Sequence, residues 1–206
     1  MNRSVVIIGK GPSVIKSTKE FVDSFDDVAL CNFPPMEGYE KHIGNRATHH
    51  FLNAHDPNPY SKERLNSLGL RDIFNTSHTA HDGSDAIIPD HKGNYWRNYG
   101  EINIPAFKKN YGFDPSCGIL AFCYFVEHGY RDIGLVGFDF FKNNEKAYYY
   151  SVNEVQPSLR YLYTSGGKTP YNSEGVRIQE TTHDAKKSEQ FVLDMAEKYK
   201  INLRKP

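Results

Sequence analysis

An α/β domain built around a mostly parallel sheet is the fold expected of this 206-residue chain. Three neighbouring stretches carry that expectation. Ser4-Val5-Val6-Ile7-Ile8 is a run apolar on both faces, as in a buried parallel strand, and the turn Gly9-Lys10-Gly11-Pro12-Ser13 closes it. Ser17-Thr18-Lys19-Glu20 has the capping-box spacing, and Phe21 and Phe25 lie four residues apart, so a helix follows. Asp27-Val28-Ala29-Leu30-Cys31 then reads as a second strand. Strand, glycine turn, helix and strand within about thirty residues make a βαβ unit.

The later elements continue that alternation. Strands are expected at Ala47 to Leu52, Ala86 to Ile88, Ile133 to Val136 and Ile201 to Leu203. A helix from about Cys117 to His128 should end at Gly129, a residue suited to the position after a helix C-terminus. A last helix from about Ala185 to Tyr199 sets Val192, Met195, Ala196 and Tyr199 on one face. Two stretches fit no regular element, Asp82 to Gly112 and Asn143 to Thr182. Irregular segments of that length in a compact domain are usually lids or binding loops. The second is rich in tyrosine, with Tyr148-Tyr149-Tyr150, Tyr161 and Tyr163, whose hydroxyls suit a polar ligand. One domain spanning residues 1–206, with lid segments at 82–112 and 143–182, is the expected organisation.

Composition removes several classes of function. Lys plus Arg equals 25 and Asp plus Glu equals 25, so the formal charge is zero. A nucleic-acid binder would carry a basic excess, and a polybasic membrane-surface protein likewise. Cys31, Cys117 and Cys123 are odd in number and form neither a disulfide framework nor a zinc knuckle, which favours a reducing compartment. The opening apolar run is too short for a signal-peptide core, so cytoplasmic residence is expected by default.

Chemistry should gather at the strand ends. The Gly9–Ser13 turn between strand and helix would offer N–H groups to an anion. It is not a dinucleotide fingerprint: Val14 stands where a third small residue is needed, and the second strand ends in Cys31-Asn32 without a carboxylate for a ribose. Nor is it a Walker A loop, because Ile15 precedes Lys16-Ser17. A phosphate or nucleotide site remains, against a tight structural turn. Asn32 and Asn53 end the second and third strands, where an amide can meet a nucleotide or sugar as donor and acceptor, or cap its own turn. Asp114-Pro115-Ser116-Cys117-Gly118 opens a helix, with Ser116 a fitting N-cap or its free N–H groups a phosphate seat. Gly137-Phe138-Asp139 ends another strand, and Asp139 suits a ribose hydroxyl or a turn. His49 and His50 fall on opposite faces of a strand and cannot readily share a metal ion, and His78 with His81 lacks a companion cluster. His183, beside Asp184 at the start of the last helix, suits a general base or a plain surface histidine.

These pieces resemble the sialyltransferases. Val5 to Ser13 (VVIIGKGPS), Asp27 to Asn32 (DVALCN), Pro115-Ser116-Cys117-Gly118 and Gly129-Tyr130-Arg131-Asp132-Ile133 to Gly137-Phe138-Asp139 are similar to bacterial glycosyltransferase family 42. The Pro115 to Phe138 stretch is also similar to family 29. The histidine before a final helix, His183 through Ile201, resembles the end of the family 42 catalytic domain. The resemblance implies a single Rossmann-like nucleotide-binding domain, a GT-A-like variant with a lid loop. It implies a CMP-activated acidic sugar (sialic acid or a related ulosonic acid) as donor, a glycan hydroxyl as acceptor, inversion, and neither metal nor other cofactor. A CMP-binding protein of the same fold without transferase activity is the alternative.

By position, the resemblance gives Gly9, Lys10, Gly11 and Ser13 to the phosphate turn and Asn32 and Asn53 to CMP and its sugar. It gives Ser116, Cys117 and Gly118 to the nucleotide cradle, Asp139 to the ribose and His183 to the base. Three positions depart from the family pattern. Lys10 stands where family 42 commonly has asparagine, Asp114 lies where an arginine is expected, and Phe141 replaces a tyrosine. Tyr148, Tyr149 and Tyr150 are therefore the candidates for the leaving phosphate. Relatives also assemble as homo-oligomers, and a lipid-linked acceptor would imply peripheral membrane association.

Overall fold

The computed structural model describes residues 3–32, 34–52, 67–76, 96–97, 104–140, 148–150 and 183–206. Strands β1 (Ser4–Ile8), β2 (Asp27–Cys31), β3 (His49–Leu52), β4 (Asp72–Asn75), β5 (Trp96–Arg97), β6 (Asp132–Val136) and β7 (Asn202–Arg204) form one sheet. Its order is β5-β4-β3-β2-β1-β6-β7, and every pair is parallel. The chain fills one half of the sheet from β1 outward and then crosses to the other half with β6. The direction of winding therefore reverses between β1 and β6, where ligands of open α/β sheets bind beyond the carboxyl ends of the strands.

Side-chain alternation divides the core into two layers. Val5, Ile7, Ala29, Cys31, Phe51, Ile133 and Leu135 face helix α4 (Cys117–Glu127) and helix α5 (Ala185–Lys198). Val6, Ile8, Val28, Leu30, Leu52 and Val136 face the other way, onto Val14, Val22, Phe25, Met36 and Ile43. Short helices α1 (Lys19–Asp23) and α2 (Glu40–Ile43) contribute to this second layer, while α3 (Ile104–Tyr111) joins the first through Phe107. A strand apolar on both faces needs such double cover, which is why β1 carries no polar residue after Ser4.

The expected elements recur with small shifts. Thr18, rather than Ser17, caps α1, its hydroxyl accepting from Phe21 N. Helix α4 stops at a Schellman pair, Tyr130 N to Phe125 O and Gly129 N to Val126 O. Tyr199, expected on the buried face of the last helix, is instead its exposed C-cap, with Arg131 and Lys198 over its ring. β4, β5, α2 and α3 are additional to the expected set; β5 and α3 fall inside the 82–112 stretch. The strand expected at 86–88, and most of 143–182, lie outside the described residues.

His49 and His50 do face opposite layers. His49 packs beside Phe74 and Phe125, with Thr48 Oγ1 2.8 Å from its Nδ1, and His50 Nε2 meets the backbone oxygen of Asn32. Burial pushes the His49 pKa from 6.5 down to about 4, against the pull of Asp72. The folded protein thus prefers the neutral ring, and the unfolded chain takes up a proton first as pH falls. Stability conferred by neutral His49 is complete above pH 6.5 and declines by about 3 kcal/mol toward pH 4. Urea unfolding at pH 7.5, 6 and 5 should show a steeper loss for wild type than for His49→Phe. Parallel pH dependences would remove His49 as the cause.

Candidate functional site

The carboxyl ends of β1, β2, β3 and β6 bring most of the singled-out residues to one edge of the sheet. After β1, Gly9 N donates to Val136 O at 2.8 Å and Gly11 N to Gly137 O at 3.0 Å, fastening the glycine turn to the end of β6. Pro12–Lys16 then forms a 3₁₀ turn. Asp139 Oδ2 accepts from both Ser13 N (3.0 Å) and Ser13 Oγ (2.8 Å). Asp139 therefore fastens the turn. Ser13, expected to line a phosphate seat, gives its N–H and hydroxyl to that carboxylate.

Asn32 follows β2 with a left-handed backbone (φ 56°), a conformation that amide side chains tolerate better than most. Its N–H donates to Phe51 O at 2.7 Å. The same Phe51 oxygen accepts from Cys117 Sγ at 3.0 Å, so the end of β2, the end of β3 and the start of α4 share one carbonyl. Ser116 caps α4, its hydroxyl accepting from Ile119 N. Gly118 lies under the Phe138 ring: a Cβ there would stand 2.8 Å from that ring and would push it aside. The α4 N-terminus is thus packed onto the loop after β6.

Cys31 and Cys123 are held in the protonated thiol form. The hydrogen bond with Cys117, then burial, hold Cys31 well above the usual thiol range, although Lys10 pulls the other way. Burial pushes Cys123 up to about 12. The Cys31–Cys117 contact across β2 and α4 was not foreseen from sequence, where the two residues lie far apart.

Lys10 faces the tyrosines. Its ammonium sits 4.8 Å over the Tyr148 ring, and its carbonyl accepts from Tyr149 N at 3.1 Å. Tyr148 and Tyr150 stack at 5.3 Å, while the Tyr149 hydroxyl donates to Pro35 O and its ring meets Tyr39 edge-on. Tyr149 and Tyr150 are 3% and 1% exposed, so of the three candidate tyrosines only Tyr148 combines partial exposure with the Lys10 contact.

His183 arrives from the start of α5. Its Nδ1 lies 2.9 Å from Asp114 O. A carbonyl only accepts, so Nδ1 carries the hydrogen, and in the neutral imidazole the lone pair is on Nε2. Asp114 stands two residues before the α4 cap, which sets the imidazole beside that helix start. Sequence reasoning had no signal for this orienting partner, because a backbone oxygen leaves none. Asn53 and Phe141 lie outside the described residues. Among the described residues no group of three or more His, Cys, Asp or Glu is arranged for a metal ion. Among them, too, no helix is long and apolar enough to cross a membrane.

The same architecture occurs in solved structures. The sialyltransferase CST-II in complex with a trisaccharide acceptor and CMP matches with TM-score 0.65 and 19% identity, covering 98% of this chain and 80% of that one. The monofunctional α-2,3-sialyltransferase Cst-I from Campylobacter jejuni matches with TM-score 0.65 and 15% identity, over 98% and 75%. The fold is that of the sialyltransferases. A mammalian sialyltransferase carries it too, with TM-score 0.55 and 18% identity over 98% and 68%. The family model for glycosyltransferase family 29 (sialyltransferase) matches residues 3–71, about a third of the chain. That match runs from β1 toward β4, ahead of the Pro115 to Phe138 stretch in which the family 29 likeness was read. No curated protein matches significantly by sequence. Within the sialyltransferase fold, the edge carrying Lys10, Asn32, Cys117, Asp139 and His183 is the candidate active site.

Proposed function

We propose that this chain transfers a CMP-activated acidic sugar to an acceptor hydroxyl, with inversion, without a metal, and with His183 as general base. The observation that supports the reading is the Nδ1 contact of His183 with Asp114 O, which makes Nε2 the basic nitrogen of the neutral ring. In the reaction the acceptor oxygen attacks the anomeric carbon of the sugar, and the bond from that carbon to the CMP phosphate breaks. The electron pair leaves with CMP, and the acceptor proton passes to Nε2. A single displacement inverts the anomeric centre. The leaving phosphate is a weak base, so it needs charge stabilisation more than protonation. Lys10 answers that need as a point charge, held over the face of the Tyr148 ring. Asn32, Ser116, Cys117 and Gly118 would border the nucleotide.

The likeness of the fold to sialyltransferases solved with CMP supports the choice of nucleotide. The test is mass spectrometry of products after incubation with CMP-sialic acid or CMP-Kdo and a panel of galactose-terminated acceptors. A glycan product heavier by one acidic sugar is expected. Tight CMP binding with no transferred sugar would make the chain a nucleotide binder of the same fold.

A further inference from the structure

The turn after β1 has little left to offer an anion. Gly9 N, Gly11 N and Val14 N donate to Val136 O, Gly137 O and Gly11 O, and Pro12 has no N–H. Ser13 gives its remaining donors to Asp139. A carboxylate oxygen therefore already takes the Ser13 donors that the motif would offer a phosphate. It sits so close that a Cβ on Gly11 would stand 2.1 Å from Asp139 Oδ2. A second anion beside it would meet repulsion where the motif promises attraction.

We propose that Asp139 is a positioning residue: its carboxylate closes the Gly9–Val14 turn and thereby fixes Lys10, whose ammonium, rather than the backbone of the turn, receives the donor's phosphate. This rests on the CMP reading above. Lys10 lies in the middle of the closed turn, and Tyr149 N pins its carbonyl from the other side. With backbone held at both ends, the Nζ over Tyr148 has a defined reach. A carboxylate that bonded the ribose instead would act on the nucleoside and leave Lys10 untouched, so the two roles part experimentally.

The experiment is calorimetric titration of the whole chain with CMP and, separately, with cytidine. Asp139→Ala should weaken CMP about tenfold and leave cytidine within about twofold, because only the phosphate contact depends on the turn. Asp139→Asn keeps an acceptor oxygen for Ser13 and should restore CMP binding to within about twofold of wild type. Lys10→Ala should repeat the alanine pattern, and adding Asp139→Ala to it should cost no more than about a further twofold. Ser13→Ala removes one of the two bonds and supplies the same cycle with Lys10→Ala if Asp139→Ala does not fold. Equal loss of CMP and cytidine in both Asp139 variants would overturn the proposal in favour of ribose binding. Wild-type affinity for CMP in Asp139→Ala would overturn it as well. A wild-type chain that binds no CMP at all would instead remove the CMP reading, a result distinct from either.

Discussion

His183→Ala is expected to lower kcat/KM for sugar transfer by about 10²–10⁴-fold, the range for losing a positioned general base, with CMP affinity within about twofold. The two readouts separate because His183 would touch the acceptor proton and not the nucleotide. Its orientation is built from several contacts. Asp184 caps α5 by accepting from Lys187 N at 2.9 Å, and Lys187 Nζ donates to Gly112 O at 3.0 Å, tying the helix start to the chain ahead of Asp114. Lys108 holds the Asp114 carboxylate at 3.0 Å. The imidazole is thus anchored through a carbonyl whose flanks are themselves restrained. Steady-state kinetics with CMP-sialic acid, paired with calorimetry for CMP, would check this. A variant that loses CMP binding as steeply as turnover would reassign His183 to structure.

Asp27→Ala should cost about 2–4 kcal/mol of stability while leaving CMP affinity unchanged. Asp27 opens β2 at the amino edge of the sheet, away from the candidate site, and is fully buried. Its carboxylate accepts from the Tyr130 hydroxyl at 2.6 Å, meets Arg3 at 2.8 Å and pairs with Arg71. The arginine side chains are 52% and 47% exposed and can turn to water, so their share of the loss is small. Tyr130 is 6% exposed and would keep a buried hydroxyl without its acceptor. Asp27→Ala in a Tyr130→Phe background should therefore cost about 1–2 kcal/mol less than in wild type. Urea unfolding of the four proteins measures that coupling, and additive losses would show that Tyr130 plays no part.

Much of the sheet was legible because its central strands are written in unbroken apolar runs. Val5 to Ile8, Val28 to Cys31 and Ile133 to Val136 are each apolar on both faces, and only a doubly covered strand needs that pattern. β4 was missed because Asp72-Ile73-Phe74-Asn75 holds just two apolar residues between polar ends, and its strand character comes from pairing with β3. At two residues, β5 leaves no pattern at all. The candidate site was legible where its residues follow strand ends, since a parallel sheet sends those ends to one edge. What each residue does there was not. Asp139 has the same sequence signature whether it faces a ribose or Ser13, and only the fold brings a partner from 126 positions away. Tyr148, Tyr149 and Tyr150 are alike in sequence, yet only the middle one spends its hydroxyl on Pro35 O.

The Asp27 cluster also bears on how the sheet comes apart. Asp27 begins β2, Arg3 precedes β1, Arg71 precedes β4 and Tyr130 precedes β6, so one carboxylate reaches strands on both sides of its own. Separating β6 from this centre strips the buried Asp27 of its Tyr130 hydrogen bond, while the exposed arginines tie β1 and β4 to it only loosely. β7 is tied in through a different carboxylate, Asp132, which accepts from Asn202 and Arg204.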